Sequence, residues 1–100
     1  MTDNKYLIIN AVPNTEKMED FQLYLSIIVP LFIANGGEKI DRYKTIKHLM
    51  GKGGVIMVGI FKFPNSDVIE NMMAGDEFNA LNELRSNAFT QLDLMVCASF

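Results

Sequence analysis

The sequence has 100 residues, which is enough for one domain, residues 1–100, and too few for two independently stable cores. Its hydrophobic share of 49% and charged share of 21% are typical of a folded globular protein and exclude a disordered chain. The net charge is −3 and the only arginines are Arg42 and Arg85, so the chain lacks a basic stripe that could neutralise phosphates. We therefore expect no nucleic-acid partner.

The chain also carries few signals for export, metal binding or membrane insertion. Its polar start, Met1 to Lys5, leads directly into a strand-like segment, so we expect no secretory signal and a cytoplasmic location. The single cysteine, Cys97, cannot form an internal disulfide, and the single histidine, His48, has no neighbouring ligands for a metal site. The apolar run from Phe21 to Ala34 is shorter than the roughly 20 residues that cross a bilayer. We expect no metal, no cofactor and no membrane partner.

The first half of the chain predicts a strand followed by a long helix. Lys5–Val12 is rich in β-branched and aromatic residues and ends before a proline, which is typical of a strand. Asn14 or Thr15 can cap the helix, and Gly36-Gly37 can end it with a left-handed residue. Pro30 lacks the amide hydrogen that continues a helix, so we expect a kink or a break just before it.

The second half predicts a hairpin, two short helices and a last strand. The hairpin pairs an irregular strand over Glu38–Met50 with a strand over Val55–Phe63, across a Gly51–Gly54 turn. Ser66 is expected to cap a helix that ends at Gly75, and Asp76 a further helical stretch to about Ala88. Thr90–Ser99 then forms the fourth strand.

This order, β-α-β-β-α-β, predicts an α+β domain of the ferredoxin-like class, with both helical regions on one face of a four-stranded antiparallel sheet. The other face is informative because both alternating sets of residues in the first and third strands are apolar. One set includes Ile8, Val58 and Ile60, and the chain has no further layer to cover it. We therefore expect a homodimer in which two sheets pack together.

Several motifs spread over nearly the whole chain resemble the family catalogued as domain of unknown function 1330. They are Tyr24 followed twelve residues later by Gly36-Gly37, the strand end Val58-Gly59-Ile60-Phe61-Lys62-Phe63-Pro64, and Asp76-Glu77-Phe78-Asn79-Ala80-Leu81 with Leu84-Arg85. The resemblance implies a dimeric α+β barrel and leaves the activity open. The sequence departs from the family pattern at Asn35, where a histidine commonly precedes the two glycines, and at Arg42-Tyr43-Lys44, which replaces a glycine-containing stretch.

Arg85 is the residue whose position most suggests a function. Together with Phe78, Leu81 and Ala88 it falls on one stripe of the last helix, and that stripe is otherwise apolar. A guanidinium there needs an anion or a ring of acceptors, because burying it unpaired is expensive. Three interpretations stay open. Arg85 pairs with a carboxylate such as Asp93 or Glu77, or its stem lies over apolar surface with the guanidinium in water, or it binds the carboxylate of a ligand at the mouth of a pocket between helices and sheet.

Four further residues are candidates for the same pocket, namely Tyr24, Asn35, Tyr43 and His48. Each also has an ordinary structural interpretation as a hydrogen-bonded or solvated side chain. Two functions therefore stay open. The chain binds a small organic acid, such as a carboxylate, and transforms it without a cofactor, or it is a noncatalytic structural or ligand-binding module.

Overall fold

The computed structural model describes residues 4–100, so the first residues of the polar start, 1–3, lie outside the described residues. The strands are β1 (Lys5–Pro13), β2 (Glu38–Lys44), β3 (Met57–Phe63) and β4 (Phe89–Cys97). The helices are α1 (Met18–Ala34), α2 (Ser66–Ala74), α3 (Asp76–Asn79) and α4 (Asn82–Ala88), with a 3-10 turn (Thr15–Lys17) before α1. The predicted α+β, ferredoxin-like element order is confirmed, with the second helical region divided into three pieces.

The sheet has the strand order β2-β3-β1-β4, and every neighbouring pair is antiparallel. Its inner face is the one that the helices cover, because Leu7 and Phe61 lie opposite each other and are both buried in the core. The ring of Phe32 from α1 meets that of Phe61 edge-on, with 5.0 Å between the ring centroids. The alternating residues, including Ile8 and Ile60, lie on the outer face, which no described element covers.

Helix α1 continues through Pro30, so of the predicted kink or break the break is wrong, and the kink stays a prediction. The side chains of Ile28 and Phe32, one on each side of the proline, are both buried in the core, and this packing holds the helix in place. The predicted end of the helix is confirmed. The Gly36 amide donates to the carbonyl of Ile33 and the Gly37 amide to that of Phe32, with Gly36 at a φ of 91°. This is the Schellman arrangement that glycine favours.

Strand β2 ends at Lys44 rather than Met50, and β3 begins only at Met57. Residues 45–56, which we call the β2–β3 arm, form no regular strand pair because their apolar side chains have no core to face. The arm is fixed at its base by two backbone hydrogen bonds, from Thr45 to Ile56 and from Ile56 to Ala11. The predicted irregularity of this strand is present as a register shift between Lys39 and Asp41.

Two helix caps lie one residue before their predicted positions. Asn65, not Ser66, caps α2, because its extended backbone lets its side-chain oxygen accept the Val68 amide at 3.0 Å. Gly75, not Asp76, occupies the cap position of α3. No helix among residues 4–100 is long and apolar enough to cross a membrane.

The close approach at Gly37 generates the first prediction. A Cβ atom there would lie 2.7 Å from both the Phe32 carbonyl oxygen and the Phe63 ring. Gly37→Ala should therefore lower the free energy of unfolding by about 1–3 kcal/mol through overpacking, as measured by urea denaturation.

Gly59→Ala is the matched control, because its Cβ would lie 3.6 Å from the Ile9 side chain, an ordinary contact. This variant should keep or slightly raise the stability of the wild type. Equal stabilities of the two alanine variants would contradict the packing described at Gly37.

Candidate functional site

A cavity of about 120 Å³ lies between α1 and the inner face of the sheet. Its walls are mainly aliphatic and aromatic, and include Ile9, Leu25, Ile28, Val29, Phe61 and Leu94. Gly59, in the centre of β3, also lines it, and the absence of a side chain there leaves space above the strand. The volume is close to that of an apolar cavity of about 150 Å³ that holds benzene in another protein. The space therefore suits an apolar group of about one ring.

Polar groups border this cavity on two sides. On one side Lys39, Asp41 and Arg42 come from β2, which is one edge of the sheet. On the other side lies Tyr24. Its ring meets the ring of Phe89 edge-on, with 5.5 Å between the ring centroids, and Phe89 is the first residue of β4, the strand at the opposite edge of the sheet. The cavity thus has an apolar middle and a polar group at each end.

The two cations on the β2 side are exposed and available. Within residues 4–100, neither the Lys39 ammonium nor the Arg42 guanidinium has a hydrogen-bond or ion-pair partner. The Asp41 carboxylate is already engaged, since it accepts the backbone amide of Arg42 at 2.8 Å and the Tyr43 hydroxyl at 2.9 Å. An anionic group at this rim would therefore meet two positive charges and one carboxylate whose oxygens are occupied.

Arg85 forms a clamp on the Tyr24 side. Its Nε donates to the Tyr24 hydroxyl oxygen at 2.8 Å, one Nη to the Phe78 carbonyl oxygen at 2.8 Å, and the other Nη to the Asn82 side-chain oxygen. The guanidinium carbon also lies 3.8 Å from the centroid of the Phe78 ring, a cation–π contact. The positive charge is thus held by a ring of neutral acceptors.

The ion pair of Arg85 with Asp93 or Glu77, one of the alternatives left open by the sequence, is absent from residues 4–100. Asp93 is directed away because it pairs with Asn10, on the outer face of the sheet, while Arg85 contacts α1 on the inner side. Sequence spacing placed Arg85 correctly in a partly buried stripe. It could not show that a tyrosine 61 residues away would supply the acceptor.

Tyr24 keeps its proton in this setting. Burial raises the pKa of its hydroxyl above the ordinary value of 10.0, and the hydrogen bond and charge of Arg85 oppose that rise only in part. Because the hydroxyl oxygen accepts from Arg85, its own hydrogen remains free, with no acceptor among residues 4–100. Tyr24 can therefore donate a hydrogen bond to an oxygen atom of a bound molecule.

The other predicted site residues lie elsewhere. Asn35 ends α1, where its side-chain amide donates to the Leu31 carbonyl at 2.8 Å. Tyr43 is exposed and donates to Asp41, whose carboxylate raises the pKa of the Tyr43 hydroxyl. His48 is exposed on the β2–β3 arm. Of the five candidates, the structure brings together only Arg85 and Tyr24.

Sequence reasoning missed three residues of the cavity, Gly59, Lys39 and Arg42. A glycine inside an apolar strand is a recognisable sign of close approach or empty space, so Gly59 carried a usable signal. The positions of Lys39 and Arg42 depend on the register shift in β2, which the sequence does not fix. Among residues 4–100, no group of three His, Cys, Asp or Glu side chains is arranged to hold a metal ion.

Comparison with known proteins gives a family and a fold. A family model described as "Domain of unknown function (DUF1330)" matches residues 4–100, and no curated protein matches the sequence. A protein of unknown function from Rhodopseudomonas palustris is similar in structure, with a TM-score of 0.81 and 14% identity over 100% of this chain and 85% of the other.

Two further structures share the fold. A protein from Nitrosomonas europaea described as a "Putative antibiotic biosynthesis monooxygenase" has a TM-score of 0.70 and 10% identity over 100% of this chain and 93% of its own. A protein of the same description from Caulobacter crescentus has a TM-score of 0.73 and 9% identity over 99% and 92% of the two chains. At these identities the likeness establishes the fold alone.

The clamp at Arg85 generates the second prediction. Arg85→Met keeps most of the side-chain volume but removes the donors to Tyr24 and to the Phe78 carbonyl, so it should lower the free energy of unfolding by about 2–3 kcal/mol. Arg42→Met is the control, since the Arg42 side chain is exposed and unpaired, and it should change stability by less than about 0.5 kcal/mol. Chemical denaturation of both variants measures the difference. An Arg85→Met variant as stable as Arg42→Met would contradict a structural role for the clamp.

Proposed function

This chain belongs to the family described as domain of unknown function 1330, and we propose that it binds a small organic acid in the cavity beneath α1. One observation carries the proposal. The cavity joins an apolar middle to two unpartnered cations at its β2 rim and a protonated tyrosine at its far end. Ligand sites of proteins commonly have this composition, with mostly apolar walls and a few placed polar groups.

The shape of the cavity limits the ligand. An apolar body of about one ring fills the middle, and a carboxylate lies at Lys39 and Arg42, where a guanidinium can bind it through two parallel hydrogen bonds. A second oxygen atom on the ligand, such as a carbonyl or hydroxyl oxygen, accepts the hydrogen of Tyr24. A ring-containing acid is therefore the favoured chemical class.

The role of Arg85 changes accordingly. Its Nε and both Nη groups already donate to Tyr24, Phe78 and Asn82, so a ligand carboxylate would have to displace these acceptors. We therefore assign the carboxylate to Arg42 and Lys39 and make Arg85 a positioning residue. It orients Tyr24, and its positive charge makes the phenol a stronger hydrogen-bond donor.

Chemistry at this site would rest on Tyr24. A positioned phenol can stabilise negative charge that develops on a ligand oxygen, or donate a proton to it, and no cofactor is needed for either step. Two structural neighbours carry the description "putative antibiotic biosynthesis monooxygenase", so consumption of a bound acid in aerated buffer is the first activity to test. An acid that binds and remains unchanged favours the alternative, a noncatalytic binding module.

We also propose that the protein is a homodimer, because the outer face of the sheet is apolar where β1 and β3 pair. Ile8 lies directly opposite Ile60, and Val58 follows on the same face two residues along. Exposed apolar patches of this kind on small proteins commonly mark association sites. A second copy would cover the face in a closed, two-fold arrangement.

The dimer gives the third prediction. Ile60→Asp or Val58→Asp should convert the dimer to a monomer, since a carboxylate buried without a partner in the interface costs several kcal/mol. Light scattering on the purified variants gives the mass directly. Asn71→Asp adds the same charge on the exposed surface of α2 and should leave the dimer intact. A wild-type protein that is a monomer at micromolar concentration would refute the proposal.

The cavity gives the fourth prediction, tested with benzoate as the probe. Benzoate should bind to the wild type at least about tenfold more tightly than benzyl alcohol, which has the same ring but no charge to meet Arg42 and Lys39. Titration calorimetry measures both affinities. Arg42→Met should reduce the difference in affinity between benzoate and benzyl alcohol, and should leave the weak affinity for benzyl alcohol unchanged.

The Gly59→Val variant tests whether the two probes bind in the cavity or elsewhere on the protein. A side chain at this position enters the cavity beside Ile9, so the variant should fold normally and lose binding of both probes. The proposed function would be overturned if Gly59→Val bound benzoate as tightly as the wild type does. It would also be overturned if the wild type bound neither benzoate nor related ring acids.

A further inference from the structure

A second space opens beside the cavity, at the end of β2 that leads into the β2–β3 arm. We call it the groove. It has a volume of about 350 Å³ and lies between the first half of α1 and the adjoining ends of the strands. Its walls are mainly apolar and include Pro13, Phe21 and Ile56, none of which borders the cavity. A space of this size and composition suits part of a small organic molecule.

The groove and the cavity share part of their walls. Leu25, Arg42 and Met57 border both spaces, so the two lie side by side. Of the residues 4–100 that border them, Arg42 is the only charged one common to both. A carboxylate bound to Arg42 in the cavity therefore lies next to the groove, and a second group of the same ligand can extend into it.

A third cation extends the positive rim of the cavity into the groove. The three cations of β2 pair with alternate residues of β3, Lys39 with Phe61, Arg42 with Gly59 and Lys44 with Met57. These β3 residues all border the cavity, so the three cations lie on the same inner face of the sheet. Along the strand they follow one another at intervals of about 7 Å. The rim is therefore a row of three positive charges.

Lys44 has no counterion within residues 4–100. Neither an ion pair nor a hydrogen bond engages its ammonium group, and no aspartate or glutamate of the described residues borders the groove. Among the same residues the one carboxylate that borders the cavity is Asp41, whose oxygens accept from Arg42 and Tyr43. The groove therefore holds a positive charge that an anionic group of a ligand can neutralise.

We propose that the preferred ligand of this site is a ring-containing diacid whose two carboxylates lie on one edge of the ring. The first carboxylate binds the fork of Arg42 beside Lys39, as in the proposed function, on which this inference rests. The second carboxylate extends into the groove and meets the ammonium group of Lys44. Carboxylates in a 1,3 relation on a ring have this arrangement, and the opposite edge of the ring then stays in the apolar middle of the cavity. Lys44 thus determines selectivity for a diacid over a monoacid.

The expected gain from the second carboxylate is moderate. Lys44 is exposed, so water already solvates its ammonium group and weakens its attraction to an anion. Arg42 lies next to it along the rim and adds to the positive potential that the second carboxylate meets. We expect the second carboxylate to raise the affinity about fivefold at low ionic strength, and salt to screen most of this increase.

Two probes that differ mainly in the charge of one group test the inference. Isophthalate carries two carboxylates in a 1,3 relation, and 3-carbamoylbenzoate has a neutral amide of nearly the same shape in place of one of them. Isophthalate should bind to the wild type about fivefold more tightly at low ionic strength, and about 0.5 M salt should remove most of this difference. Titration calorimetry measures both affinities.

The Lys44→Met variant removes the charge and keeps most of the aliphatic stem. It should bring the ratio of the two affinities to about one, because the second carboxylate no longer meets a cation at this position. The Lys44 side chain is exposed and unpaired, so the variant should fold, as checked by circular dichroism. Lys52→Met removes the same charge from the β2–β3 arm, outside both spaces, and should leave the preference for isophthalate unchanged.

The Lys44→Glu variant is the sharper test, because it should increase the affinity for one probe. The probe 3-(aminomethyl)benzoate keeps the first carboxylate and carries an ammonium group near the position of the second. It should bind to Lys44→Glu about fivefold more tightly than to the wild type, whereas isophthalate should bind more weakly. A general loss of structure cannot produce opposite changes for two probes.

The inference would be overturned if isophthalate and 3-carbamoylbenzoate bound to the wild type equally well, or if the preference for isophthalate persisted in Lys44→Met. The proposed function would still stand after either result, provided that benzoate binds to the wild type and not to Gly59→Val. If no ring acid binds to the wild type, the proposed function fails and the present inference fails with it.

Discussion

The guanidinium of Arg85 connects the parts of the molecule that make the candidate site. From α4 it reaches Tyr24 on α1 and the carbonyl of Phe78 on α3, so one side chain links three helices. A planar guanidinium can hold several acceptors in fixed directions, which the single ammonium group of a lysine cannot do. Tyr24 therefore lies at one end of the cavity in a defined orientation, with its hydrogen available. Without Arg85 the Tyr24 hydroxyl would lose the hydrogen bond that orients it at this end of the cavity.

A second constraint comes from the two-layer architecture. Four strands and one layer of helices bury only the inner face of the sheet, which holds both the core and the cavity above Gly59. Three apolar regions have no cover within residues 4–100. They are the outer face of the sheet, the exposed side chains of α1 such as Leu23 and Ile27, and the β2–β3 arm. The proposed association with a second copy would cover the outer face of the sheet and would account for its apolar side chains.

Local signals in the sequence predicted much of the fold. The left-handed cap at Gly36 and the apolar strands around Ile8 and Ile60 depend on neighbouring residues, so they could be identified from the sequence. Contacts between residues far apart in the chain could not be identified in this way. The early end of β2 at Lys44 depends on where β3 begins, and the partner of Arg85 comes from a helix 61 residues away. A pocket between helices and sheet was expected from the sequence, but most of the residues that line the cavity were not, because empty space results from the packing of many elements and has no sequence pattern of its own.

In the proposed function an organic acid occupies the cavity above Gly59, and Arg85 supports the site without binding the ligand. Titration of ¹⁵N-labelled protein with benzoate, followed by amide chemical shifts, tests this arrangement directly. We expect saturable shifts that are largest for the amides of Ile9, Gly59 and Leu94, around the cavity. Shifts concentrated instead at Asn82, Arg85 and Ser86 on α4 would contradict this arrangement and would show that the ligand carboxylate binds at Arg85.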